Sequence, residues 1–156
     1  MKDYFIKLYQ YNQWANKRVL GELENQEVED KEILTIMSHV VSALFIWLCR
    51  IEGGSPEAYP LWKQYPLIGL VKMNEEITGR WLKFVKETED FNRELVYNNF
   101  VGDPYKNNIE QIMIHLVNHS TYHRAQVALL MRQKGFEPIN TDFITYDRVI
   151  TGQWKD

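Results

Sequence analysis

The chain has a single cysteine, Cys49, among its 156 residues. One thiol cannot form an internal disulfide, and such sparing use of cysteine fits a reducing compartment, the cytoplasm. Excess charge is also lacking: 18 Lys and Arg against 21 Asp and Glu leave a net charge of −3. A broad basic field that draws a protein to nucleic acid is therefore absent, and a local spot such as Lys17-Arg18 is too small to supply one. No uninterrupted apolar run approaches the roughly 20 residues that a bilayer-spanning helix needs. The opening stretch "MKDYFIKLYQYNQWANKR" is polar and aromatic, without the apolar core of a secretory signal. Neither a membrane nor a nucleic-acid partner is expected. Repeats, low-complexity segments, phosphate loops, nucleophile elbows and cysteine pairs are missing as well. Histidine is scarce, with four in the whole chain.

What is present suits one folded unit, residues 1–156. Hydrophobic residues make up 45% and charged residues 25%, enough apolar material for one sizeable core. Residues 3–24 carry Phe5, Leu8, Tyr9, Ala15, Val19 and Leu23 at helical spacing with no proline, which predicts a first helix. Asp30 is placed to cap a second over 32–52, ended by Gly53-Gly54 and Pro56. Its middle, "VVSALFIWLC", is apolar nearly all round and must be covered on most sides, by neighbouring helices or by a partner subunit. That circumference predicts a homodimer. The stretch "GGSPEAYPLWKQYP" reads as a long loop, a kind often used for function. A third helix follows over 67–89. "RELVYNNFVGDPYKN" then predicts a short strand, a turn at Gly102-Asp103-Pro104 and a return. A fourth helix runs over 108–133, and the tail after Pro138 is short. Four long helices with little else predict an all-α four-helix bundle. The 2–3 and 3–4 connections are long; some 14 residues can reach about 45 Å, enough to cross a helix and set an up-down-down-up order.

Three of the four histidines lie in "HLVNHSTYHR", at 115, 119 and 123. On a helix, each step of four residues rises about 6 Å and turns about 40°, so the three share a gently curving stripe. The outer pair, about 12 Å apart, cannot share an ion. Adjacent members can, and two imidazoles from one helix with one from another form a facial set with an open position, the arrangement of catalytic metal sites. His39 lies about 10 Å into the second helix, while His123, His119 and His115 lie about 15, 21 and 27 Å from the end of the fourth. If those helices are antiparallel, His39 meets His119 and His123, and His115 sits too deep, in a core or supporting role. A pair at this spacing also recurs in helices that bind nothing, so the residues alone leave both readings open.

Together, "YNQWANKRVLGEL", "SHVVSALFIWLCRIEG" and "HLVNHSTYHRAQVALLMRQKGFEP" followed by "TDFITY" resemble the DinB family, the DNA-damage-inducible four-helix proteins distinct from the polymerase of the same name. The resemblance covers nearly the whole chain; its most specific part is "NHxxYHRxQ", with Ala125 where the family pattern has glycine. It implies a DinB/YfiT-like bundle with up-down-down-up topology. It also implies a divalent metal, zinc or nickel, on His39, His119 and His123. Relatives in the wider superfamily include S-transferases that use low-molecular-weight thiols such as mycothiol or bacillithiol. The expected function is thus metal-dependent chemistry on a small molecule, foremost thiol-dependent S-transfer. A hydrolase using metal-bound hydroxide and a non-catalytic metal-binding stress protein are the alternatives. Asn12, Trp14 and Arg124 are candidates to line the open metal position, with core packing or an ion pair the plainer reading of each. Tyr122 flanks His123 as Arg124 does. Asp142 is a candidate acceptor for a ligand imidazole or a helix cap. Cys49, about 80° off the His39 line, is expected to be a buried structural thiol.

Overall fold

A computed structural model describes residues 1–154. Its elements in order are α1 (Lys2–Asn25), α2 (Lys31–Ile51), a single 3-10 turn (Pro56–Ala58), α3 (Leu67–Glu87), β1 (Glu94–Asn98), β2 (Pro104–Asn108), α4 (Ile109–Gln133) and α5 (Phe143–Ile150). The chain is mostly helical, as expected. The small antiparallel sheet of β1 and β2 corrects the all-α description, and a fifth helix corrects the count of four. The strand–turn–strand signal was legible in the sequence. The tail had too few residues for its periodicity to declare a helix.

Local chemistry starts the helices where the sequence places them. Asp30 accepts hydrogen bonds from the backbone N–H groups of Glu32 and Ile33, which opens α2. Asn108 and Gln111 form a reciprocal capping box at the start of α4. Asn99 turns the hairpin, its side-chain oxygen accepting from the N–H groups of Val101 and Asp103.

By length and composition α2 could cross a membrane, contrary to the expectation that no segment would, but 72% of its apolar window is buried inside the protein. The other helices do the covering. Trp81 of α3 is fully buried and donates its indole N–H to the Leu44 carbonyl of α2 at 3.0 Å. Deleting such a ring typically costs about 3–5 kcal/mol. Because the chain itself covers α2, the circumference of that helix no longer argues for a partner subunit.

Paired contacts fix how the helices lie. Lys2 meets Lys86, Gln13 meets Thr78 and Asn16 meets Asn74 between α1 and α3. Between α1 and α4, Tyr9 reaches Met113, and Asn12 and Asn16 reach Arg124. Between α2 and α4, Lys134 pairs with Asp30 at 2.8 Å, His39 meets His119, and Trp47 packs on His115. The α2–α4 contacts therefore run in opposite sequence directions and bring the middle of α2 against the middle of α4. α5 lies on α1, where Tyr11 packs against Phe143 and Tyr146.

Candidate metal centre

The α2–α4 contact brings His39, His119 and His123 together, with one ligand nitrogen from each lying within 4.8 Å of the others. The ring centroids stand 4.4–4.8 Å apart. The Nε2 atoms of His39 and His119 face each other at 3.0 Å. Nitrogens bound tetrahedrally at about 2.0–2.1 Å from one ion would lie about 3.3 Å apart, so the His39–His119 pair at 3.0 Å needs to part by a few tenths of an ångström while the wider spacing in the set, up to 4.8 Å, must close by about 1.5 Å.

The second nitrogens decide the chemistry. His39 Nδ1 lies 2.8 Å from the Leu61 carbonyl, which can only accept, so Nδ1 carries the proton and Nε2 offers a lone pair. His123 Nδ1 donates to Gln126 Oε1 at 2.7 Å, one turn along α4, which leaves its own Nε2 as the lone pair. His119 Nδ1 is buried with no hydrogen-bond partner among the described residues. If His119 also presents a lone pair to His39, two lone pairs meet at 3.0 Å. Only a proton or a cation between them relieves that repulsion.

Burial favours the neutral form of His39 and His119. Desolvation lowers the His39 pKa, the Leu61 hydrogen bond opposes it, and His123 lowers it slightly further. His119 is pushed down to about 3, first by desolvation and then by the fields of His123, His39 and His115. Neutral imidazole is the state a metal requires. The donor set could therefore hold a divalent transition ion. Trp62 lies flat on His39, with ring centroids 3.9 Å apart and planes 5° from parallel. It comes from the proline-rich loop and closes that side of the cluster.

The other side opens into a cavity of about 410 Å³. Ala43, Ile46, Trp47 and Arg50 of α2 line it, together with Leu61, the hairpin residues Tyr97, Phe100 and Tyr105, and His115 and His119 of α4.

A profile of the DinB family matches residues 1–155. The chain belongs to the DinB family. It is also similar to Protein DinB of Bacillus subtilis (strain 168), 29% identical over an alignment that covers 94% of this chain and 95% of that one.

Other expected site residues stand elsewhere. Asn12 is buried between α1 and α4, accepting from Arg124 Nη1 at 2.7 Å, and does not face the cluster. Arg124 is 2% exposed and also donates to Asn16, Tyr11 and Thr121, so it is a buried tie rather than a steering charge. Trp14 packs on Tyr11, Tyr146 and Arg18 beneath α5. Tyr122 is 64% exposed, its ring edge on His123. Asp142 precedes α5 without a side-chain capping bond, and Leu61 and Gln126 take the acceptor role considered for it. Cys49 is only half-buried, against Gly54. His115 lines the cavity in place of a core role, its ring 5.4 Å from His119 and 5.7 Å from Trp47.

Gln126 and Leu61 were the residues that sequence reading missed. Gln126 follows His123 by three, a spacing that puts both on one helix face and could have been read. A loop carbonyl such as that of Leu61 carries no side-chain signal.

Metal content measured by elemental analysis on untagged protein should be about one divalent ion per chain and should fall sharply in His39→Ala, His119→Ala and His123→Ala. Gln126→Leu should weaken affinity by about tenfold, and His115→Ala should change it less than any ligand substitution. Unchanged metal content in His119→Ala would refute the assignment.

Because His39 and His119 titrate lower folded than unfolded, the unfolded chain binds more protons below pH 6.5. Metal-free protein should therefore lose stability as pH falls from about 6.5 toward 3. Urea midpoints at pH 7 and 4.5 should separate more for the wild type than for His119→Asn.

Proposed function

We propose that this DinB-family chain is a divalent-metal-dependent enzyme acting on a small molecule, with thiol-dependent S-transfer as its reaction. The observation that carries this reading is the convergence of three imidazole nitrogens, two of them 3.0 Å apart, beside an open cavity. A divalent ion bound there would supply uncompensated positive charge that lowers the pKa of a thiol or water and stabilises its anion. The chain's own residues do the rest. His39 and His123 are locked in the right tautomer by the Leu61 carbonyl and Gln126. Trp62 shields one side of the cluster, and the aromatic hairpin walls the other.

The cavity favours a thiol over water as the nucleophile. None of its described lining residues is a carboxylate. A thiol, with a pKa near 8.5, loses its proton readily under a cation's field and needs little help from a base. Hydrolysis is the second reading, because His115 lines the same cavity and is a base within it. The contacts between helices support an up-down-down-up bundle, and the single cysteine supports a reducing, cytoplasmic setting.

We also propose a homodimer, through a surface other than α2. Ile114, Tyr122, Ala125 and Leu129 fall within one quarter of the circumference of α4, and all are exposed.

Zinc- or nickel-loaded protein should couple monochlorobimane to a low-molecular-weight thiol, and His119→Ala should abolish the reaction. Cleavage of ester substrates without thiol would favour the hydrolase reading, and inactivity in both assays would favour a metal-binding role. Light scattering should give a dimer mass at micromolar concentration. Leu129→Glu should shift it to monomer, and a monomeric wild type would refute the dimer.

A further inference from the structure

Arg50 is the cationic side chain lining the cavity beside the histidines, and it is built in with care. Its guanidinium lies about 5 Å from three ring centroids, those of Trp47, Tyr97 and Phe100. One nitrogen, Nη2, donates to the Asn98 carbonyl at 3.3 Å, and its Nε is buried with no acceptor. Among the described residues no carboxylate pairs with it. Glu57 acts on it only through its field, and Glu57 itself is exposed and bonded to Ser55. Aromatic faces satisfy the flat sides of a guanidinium, while its N–H edge still calls for oxygen acceptors.

Position completes the argument. Arg50 follows His39 by 11 residues on α2, close to a whole number of turns, so both lie on one face about 16 Å apart along the axis. Side chains on a helix tilt toward its N-terminus, which leans Arg50 back over Trp47 toward the cluster. His119 and Arg50 thus sit at two ends of one cavity, a distance on the order of 10 Å.

We propose that Arg50 is the specificity-determining residue of this cavity, and that its small-molecule ligand carries a carboxylate on an apolar or aromatic body, held at the far end from the group that meets the metal. The guanidinium edge receives the carboxylate in a fork, the geometry at which arginine surpasses lysine. Trp47, Tyr97 and Phe100 receive the apolar body. This inference rests on the metal reading above.

Cobalt-loaded protein separates the two. It should be titrated with mercaptobutanoate, mercaptohexanoate and mercaptooctanoate, and with the mercaptoalkanols of matching length. Binding is followed by the thiolate-to-cobalt absorption band and by calorimetry. The acid should be preferred over the alcohol most strongly at the longest chain, by about tenfold, the scale of one charge-assisted hydrogen bond. Arg50→Gln should abolish the preference while leaving cobalt stoichiometry unchanged. Should that variant fail to bind cobalt, Arg50→Lys, which retains the charge near Asn98, must still lower the preference at least about threefold. Acids and alcohols binding alike at every length in the wild type would overturn the role of Arg50 and leave the metal site standing. Absence of any cobalt spectrum would overturn the metal site itself.

Discussion

An α-helix that is apolar around most of its circumference cannot face water on any broad side, and α2 is such a helix. The rest of the fold follows from covering it. α3 lays Trp81 against it, α4 runs along it, and the loop before α3 returns over it at Leu61 and Trp62. One consequence is chemical. His39, a polar residue in the middle of an apolar helix, is 5% exposed, so it must find partners for both ring nitrogens inside the protein. The covering elements supply them, a loop carbonyl on one side and the imidazoles of α4 on the other.

Burial then sets the charge state of the cluster. Gathering imidazoles in a desolvated place penalises each positive charge, first through lost hydration and then through mutual repulsion. The outcome is that His39 and His119 are held toward the neutral form, and among the described residues no carboxylate or thiolate joins the set to offset the charge of a bound ion. A site of this kind leaves a cation strongly polarising toward whatever occupies its open position. The cavity is therefore as much a part of the site as the ligands.

Two arginines show how different environments give one side chain different work. Arg124 is buried among neutral oxygens, from Asn12, Asn16, Tyr11 and Thr121, and ties α1 to α4. It has no opening toward a ligand. Arg50 is sandwiched by rings at a cavity wall. The first makes four hydrogen bonds within the fold, and among the described residues the second makes one, to the Asn98 carbonyl.

Much of this was written along the chain. Helical spacing and the caps at Asp30 and Asn108 determined where the main helices begin, and Gly102-Asp103-Pro104 signalled the hairpin, whose turn the structure closes at Asn99 with Pro104 already in β2. Four-residue spacing determined that His119 and His123 share a face, and an antiparallel α2–α4 pair sufficed to bring His39 to them. Adjacency in sequence misled where it was used in place of helical geometry. Arg124 follows His123 directly, yet one residue turns a helix by about 100°, so the two side chains face different neighbours. Asn12 and Trp14 pack elsewhere for a related reason: periodicity says that a face is covered but not by what. Only the tertiary structure decided that the Leu61 carbonyl holds His39, that Trp62 lies on it, and that Arg50 and the hairpin rings close a cavity beside it. Those contacts join segments far apart in sequence, and a loop's path is set by the surfaces it packs against, which no local pattern encodes.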